Sequence, residues 1–258
     1  MAQPNLLYQL SRPTIFAHRG SSKYAPENTL AAFELAVQQG ADAIELDAKL
    51  TADDQVVVIH DQTVDRTTSS TGRIKEMKFS ELHNLDAGNH FDVAFEGETI
   101  PSLGEVFEAV GKKIFINIEL TNYSSMTDGL PVKVAQLIKK HNLASWVMFS
   151  SFNPIALIRA RLILPSVPIG LLALVGERGA WARSRWGKLL TYQALHPNYQ
   201  DITEELVEKL HKQGRRVHPY TVNQADDMRN IFQLDTDGII TDDPILAESV
   251  LNRIQSIS

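Results

Sequence analysis

Nine short runs rich in apolar and β-branched residues punctuate the chain, and every gap between them but one contains a helix-like segment. TIFAH (14–18) comes first. Pro26-Glu27-Asn28-Thr29 then leads into LAAFELAVQQG (30–40), an amphipathic pattern closed by Gly40. ADAIELDAKL (41–50) and QVVVIHD (55–61) read as strands separated only by a turn at Asp53-Asp54. Residues 62–101 break the rhythm: they are polar, rich in Thr, Ser and Gly, and read as an insertion. The alternation resumes with a helix over 102–111. KIFINIEL (113–120), WVMFSS (146–151), VPIGLLAL (167–174), ALHPNY (194–199), RVHPYTVN (216–223) and GIITDDP (238–244) follow, each preceded by a helical segment.

Repeated strand–helix units imply parallel strands joined by right-handed crossovers. The gap before QVVVIHD is too short for a crossover, so that run pairs antiparallel with the strand before it. Eight strands remain, the number that closes a barrel. The expected fold is α/β: a (β/α)8 TIM barrel over residues 1–258 as a single domain, with a small insertion at 62–101 after the second strand. An open doubly wound sheet would usually carry a Gly-rich phosphate loop after its first strand, and none is present.

Composition narrows the function. The chain has 258 residues, 43% hydrophobic and 22% charged, which is ordinary for a globular domain of this size. A net charge of −6 argues against general nucleic-acid binding. With no cysteine there is no disulfide, thiolate metal site or cysteine nucleophile. MAQPNLLYQLSRP lacks the features of a secretory signal, and VPIGLLALVG (167–176) is too short to span a bilayer. The expectation is a cytoplasmic protein with no stable membrane insertion; oligomeric state stays open.

In a barrel of this kind the chemistry sits at the C-terminal ends of the strands. Those ends carry His18-Arg19, Glu45 and Asp47, His60-Asp61, Asn117 and Glu119, Ser150-Ser151, His196, Tyr220-Thr221-Asn223 and Thr241-Asp242. Glu45 and Asp47 are two apart, so they share one strand face roughly 6–7 Å apart along it. Like charges held so closely need a positive partner, and a hard divalent cation prefers oxygen ligands. Glu119 offers a third carboxylate. If Asp53-Asp54 form a two-residue turn, Asp47 faces His60, which would bring His60 to the acids; a one-residue slip would turn it away. His18 and His60 then suit acid–base work near neutral pH, with metal ligation and plain structural hydrogen bonding as alternatives. Arg19 can bind a phosphate bidentately, and Gly20 lets the chain turn away from the site. Carboxylates, two bases and an arginine together suggest hydrolysis at a phosphoryl centre.

An ordered set of stretches resembles the glycerophosphodiester phosphodiesterase family: AHRG (17–20), YAPENTL (24–30), ADAIELDAKLTAD (41–53), VVVIHD (56–61), DRTTSSTG (65–72), NIEL (117–120), SSF (150–152), TVN (221–223) and DGIITDDP (237–244). The resemblance covers nearly the whole chain. It implies a TIM barrel and hydrolysis of glycerophosphodiesters to glycerol 3-phosphate and an alcohol. It implies one divalent cation, Mg²⁺ or Ca²⁺, on Glu45, Asp47 and Glu119. The acid–base histidines fall on His18 and His60, and the phosphate arginine on Arg19. Glu27 and Asn28 match a family motif, with substrate positioning or helix capping as their roles. By analogy with phosphatidylinositol phospholipase C, the substrate's 2-hydroxyl would attack phosphorus and water would open the resulting cyclic phosphate.

The chain departs from the pattern at two substrate-binding positions. Many members carry a lysine two residues after the third acid, where this chain has Thr121, and a tryptophan before TVN, where it has Tyr220. ERGAWARSRWGK (177–188) reads as a solvated helix anchored by tryptophan, with a substrate lid or a membrane patch as alternatives. Asp242 reads as a cap for the last helix. Two rival functions stand beside the leading one. A lysophospholipase D would need a wide apolar rim or an anchor, neither of which the sequence displays. A non-catalytic binder of phosphate ligands would have no need of two acid–base histidines.

Overall fold

The computed structural model describes residues 5–123, 125, 127–184 and 190–256. The predicted runs become β1 (Thr14–His18), β2 (Ala43–Leu50), β3 (Val56–Val58), β4 (Phe115–Leu120), β5 (Val147–Ser151), β6 (Ile169–Ala173), β7 (Ala194–Pro197), β8 (Arg216–Val217) and β9 (Gly238–Thr241). Their order is β8-β7-β6-β5-β4-β2-β1-β9, with β3 paired to β2 off this path. Apart from β3 every pairing is parallel.

The seam between β8 and β9 has no regular ladder. Pro219 follows β8 and has no N–H to donate, so the strand ends after two residues. Single backbone bonds close the barrel instead: Asp237 N–H donates to Val217 O at 3.0 Å, Ile240 N–H to Pro219 O at 2.9 Å, and Val222 N–H to Ile240 O at 2.9 Å. The Asp237 carboxylate reinforces this seam, accepting from Val217 N–H and His211 Nε2 at 2.8 Å each and from the Arg12 guanidinium.

The outer helices are α1 (Leu30–Gln38), α3 (Leu103–Val110), α4 (Leu130–His141), α5 (Pro154–Ile163), α7 (Glu204–His211), α8 (Ala225–Gln233) and α9 (Pro244–Gln255), with the four-residue α2 (Phe79–Leu82) and α6 (Ala180–Arg183) between. Polar side chains start several of them. Thr29, Thr203 and Asp243 cap α1, α7 and α9, and Ser102 forms a reciprocal capping box with Glu105 on α3. The main core lies between helices and barrel and includes Phe33, Ile44, Leu46, Val106, Ile118 and Phe149.

Inside the barrel, Phe16, Ala43, Phe115, Met148 and Ala194 form an apolar floor sealed by Leu7. The two-residue period of a strand then dictates what stands above that floor. Phe16 leads to His18, Ala43 to Glu45 and Asp47, Phe115 to Asn117 and Glu119. One face of each strand thus passes from core to functional surface.

The hairpin register differs from expectation by one residue. Ala48 pairs with Val58 and Leu50 with Val56, so Asp47 stands opposite Ile59. The cause is the turn. Thr51 N–H donates to Gln55 O at 3.0 Å, and Asp54 takes φ of 60°, giving three loop residues rather than two. The insertion follows the hairpin. Its Val64, Ile74, Leu82 and Ile100 pack with Val57 and Ile59 as a small separate cluster.

Candidate active site

The chain leaves β1 through two left-handed residues, Arg19 (φ 57°) and Gly20 (φ 83°). A Cβ on Gly20 would lie 2.7 Å from the Ala32 backbone, so only glycine allows this turn under α1. The turn aims the Arg19 N–H at Glu45 Oε2, 3.2 Å away, and folds the guanidinium back over the barrel mouth. Its Nη1 donates to Glu27 at 2.9 Å, and its Nε lies 3.4 Å from Asp47. Burial opposes the guanidinium charge, but Asp47, Glu27 and Glu45 outweigh it and hold Arg19 firmly protonated.

Glu45, Asp47 and Glu119 converge: one oxygen from each lies within 4.8 Å of the others. The register explains this, since β2 and β4 pair Glu45 with Asn117 and Asp47 with Glu119. Glu45 and Asp47 are buried and Glu119 is partly exposed. Burial, with the fields of Asp47 and Glu119, raises the Glu45 carboxyl well above the usual range. Burial and Asp47 push Glu119 up to about 8, against the pull of Arg19 and Lys49. Glu45 Oε1 is buried with no hydrogen-bond partner among the described residues. An all-oxygen donor set, mutual repulsion and an orphaned carboxylate oxygen fit a hard divalent cation. Asn28, also left-handed at φ 59°, donates to Asp47 at 2.9 Å and orients it.

Two histidines line the same cavity of about 310 Å³ as Glu45 and Glu119. His18 Nδ1 lies 2.6 Å from Asp242, and its Nε2 is 3.9 Å from Glu45. His60 Nδ1 lies 2.8 Å from Asp61. In each ring a carboxylate takes Nδ1 as donor, which leaves Nε2 for another partner. His60 reaches the cavity despite the shifted register because it lies just beyond the last hydrogen-bonded residue of the hairpin, Ile59, whose N–H donates to Asp47 O at 3.0 Å.

Sequence reasoning missed several supports. Asp242 is a partner of His18 and not the helix cap expected of it, which is Asp243; Asn223 donates to Asp242 at 2.5 Å and Ser22 at 3.1 Å. Burial would raise the Asp242 carboxyl, but the bonds from His18, Asn223 and Ser22 hold it below the ordinary carboxylate range. The signal was present as TVN and TDD at adjacent strand ends. Arg66, in the DRTTSSTG stretch, links Glu27 to Asp61 through bonds of 2.7–2.8 Å. Against burial, Arg66 and Arg19 pull Glu27 down to about 2.

Other expected residues are placed differently. Tyr220 lines the cavity, its hydroxyl donating to Ala173 O at 2.9 Å. Thr121 does not line it; it is buried, donates to Ala48 O and accepts from Lys49 Nζ, each at 2.7 Å. Glu27 and Asn28 stand behind Arg19 and Asp47. An apolar wall of Tyr123, Phe152, Leu172, Leu174 and Tyr220 faces the polar one, a rim that the sequence did not display. Within 177–188, Gly176–Gly179 form a 3-10 turn ahead of α6, Trp181 is partly exposed and Arg183 pairs with Asp201; residues 185–188 lie outside the described residues. No helix among the described residues is long and apolar enough to cross a membrane.

Comparison with known proteins gives a consistent picture. The model of the glycerophosphoryl diester phosphodiesterase family matches residues 18–246. A glycerophosphodiester phosphodiesterase of Caldanaerobacter subterraneus is 43% identical, covering 93% of this chain and 97% of that protein. A phosphodiesterase from Oleispira antarctica, solved with its product sn-glycerol-3-phosphate, superposes with a TM-score of 0.86 at 30% identity, over 95% of this chain and 99% of that one. The Thermotoga maritima glycerophosphodiester phosphodiesterase gives 0.74 at 29% identity, over 93% and 99%. Motifs, barrel and full-length relatives agree, and the chain belongs to the glycerophosphoryl diester phosphodiesterase family.

Proposed function

We propose that this chain hydrolyses small glycerophosphodiesters to glycerol 3-phosphate and an alcohol, acting in the cytoplasm on a small-molecule substrate. One observation carries the reading. Two histidines share a cavity with the acid cluster, each with Nδ1 tied to a carboxylate and Nε2 left for proton transfer. Glu45, Asp47 and Glu119 would hold one divalent cation, Mg²⁺ or Ca²⁺, which supplies charge stabilisation at phosphorus and orients oxygen ligands.

The chain's own residues do the rest. Arg19, kept cationic by three carboxylates, binds a phosphoryl oxygen. Nε2 of one histidine takes the proton of the attacking glycerol 2-hydroxyl. Nε2 of the other gives a proton to the departing alcohol oxygen as the P–O bond breaks. Water then opens the cyclic phosphate, with the two proton transfers reversed. Asp242 and Asp61 hold the rings in the tautomer this requires.

The test is glycerol 3-phosphate release from glycerophosphocholine, with and without EDTA, for wild type and His18→Ala. Release that needs the cation and falls about 10²–10⁴-fold in the variant supports the reading. Ligand binding without turnover on any glycerophosphodiester would favour a non-catalytic binder instead. The apolar wall favours a second reading, a lysophospholipase D-type activity. Leu174 and Val175, each about half exposed at the cavity edge, would meet an acyl chain. Faster turnover of lysophosphatidylcholine than of glycerophosphocholine would establish it.

A further inference from the structure

Strand β2 places a third functional side chain on the face that carries Glu45 and Asp47. Lys49 is two residues beyond Asp47 and therefore points the same way. It is 5% exposed, unusual for a lysine unless the amine has a task or a partner. Among the described residues its one hydrogen-bond partner is neutral, the Thr121 hydroxyl at 2.7 Å. An ammonium has three donors, so two remain for another acceptor. Burial lowers the Lys49 pKa from its ordinary value, against the fields of Asp47, Glu119 and Asp61 and together with that of Arg19.

The register shows what this means. Ala48 pairs with Leu120, so the next step along the two strands sets Lys49 beside Thr121. Thr121 is the position, two residues after Glu119, where the family pattern expects a lysine. The cation missing from β4 is thus present on the neighbouring strand, with its amine against the very residue that replaced it. Lys49 and Thr121 also line a second cavity of about 330 Å³, bordered by Gln62, Asn122 and Asp128. Gln62 and Thr121 lie two residues beyond His60 and Glu119, which line the first cavity. Lys49 thus borders the second cavity rather than the first, within the field of Asp47 and Glu119.

We propose that Lys49 is a phosphate-directed cation of this site, delivering from β2 the charge that the family delivers from the position of Thr121. This rests on the phosphodiesterase reading of the same site. Arg19 and Lys49 are the two cations whose fields act on Glu119, so a phosphoryl group bound at the acid cluster would meet the charge of each. Thr121 keeps the amine in place, its hydroxyl accepting from Nζ while donating to Ala48 O.

The test compares wild type, Lys49→Met and the relocated pair Lys49→Thr/Thr121→Lys. Calorimetry measures sn-glycerol 3-phosphate binding with Mg²⁺ or Ca²⁺ present, and kcat/KM is measured in parallel. Lys49→Met is expected to weaken glycerol 3-phosphate binding about tenfold or more, the scale of one lost charged hydrogen bond. The relocated pair is expected to recover most of it. A folded Lys49→Met that binds glycerol 3-phosphate like wild type overturns the proposal. So does a folded relocated pair with no recovery, because a merely structural lysine would not be replaced by one at 121. If Lys49→Met does not fold, the relocated pair alone decides. A wild type that binds glycerol 3-phosphate but turns over no diester would sink the phosphodiesterase reading and leave Lys49 to be judged on binding.

Discussion

At the scale of single residues, the site is built by partners that are far apart in sequence. His18 and Asp242 are separated by 224 positions yet stand 2.6 Å apart, because β1 and β9 are neighbours in the barrel. Asn223 completes the arrangement: its carbonyl accepts from the Asp242 N–H at 2.9 Å and its amide donates to the carboxylate. This makes Asp242 a positioning residue for His18. Asp242→Asn is expected to lower kcat about 10²-fold, by analogy with carboxylates that fix a catalytic tautomer, while KM changes little. Nitrogen NMR of the ring supplies a readout that a purely structural role would not move. The wild type should carry its proton on Nδ1 and the variant should not hold one tautomer; an unchanged ring spectrum would refute the role. The sequence made His18, Glu45, Asp47 and Glu119 legible because each sits in a strand whose period fixes the face it occupies. It did not make the Asp242–His18 pair legible, since that contact depends on which strands close the barrel.

Among elements, the same logic separates what was readable from what was not. Strand order and the extra hairpin followed from gap lengths alone. The hairpin register did not, because it hinges on whether Asp54 adopts a left-handed conformation and lengthens the turn. His60 nevertheless reaches the cavity, since it lies beyond the last paired residue. The insertion was readable only as an interruption, although its Arg66 ties three elements together. Arg66 joins Glu27, at the lead-in to α1, to Asp61, after β3. Against burial, these bonds hold both Glu27 and Asp61 at about 2. A carboxyl depressed in the folded state contributes stability above its ordinary range, and that contribution is lost as pH falls toward the folded value. Melting temperature should therefore decline between about pH 4.5 and pH 2 partly through Glu27. Glu27→Gln should be less stable at neutral pH and show a shallower acid decline. Parallel acid limbs for variant and wild type would mean that the Arg66 link does not hold the insertion to the barrel.

The whole molecule combines an apolar barrel floor with a charged rim that is unstable by itself. Three carboxylates within 4.8 Å of one another, two of them buried, are tolerated only if protons or a cation neutralise them. Without a cation, protons do so: burial and Asp47 place Glu119 at about 8, even with Arg19 and Lys49 nearby. The folded chain then holds a proton that the unfolded chain releases near its ordinary value of 4.5. Linkage gives the sign. Where the folded state binds more protons, stability falls as pH rises, so this contribution is full below about 4.5 and gone above about 8. A divalent cation reverses the balance by replacing the proton, and it binds the ionised carboxylates best. Thermal melts in EDTA and in excess Mg²⁺ or Ca²⁺, at pH 5.5 and pH 8, test this directly. The cation should raise the melting temperature at both values and clearly more at pH 8. Glu119→Gln should reduce the difference between them, because the variant has no proton to exchange at that position, and leave the part carried by Glu45. An equal rise at both pH values, or one that survives Glu119→Gln undiminished, would place the stabilising ion away from the three strand-end acids. The chemistry proposed for the barrel mouth would then have to proceed on Arg19, Lys49 and the two histidines alone.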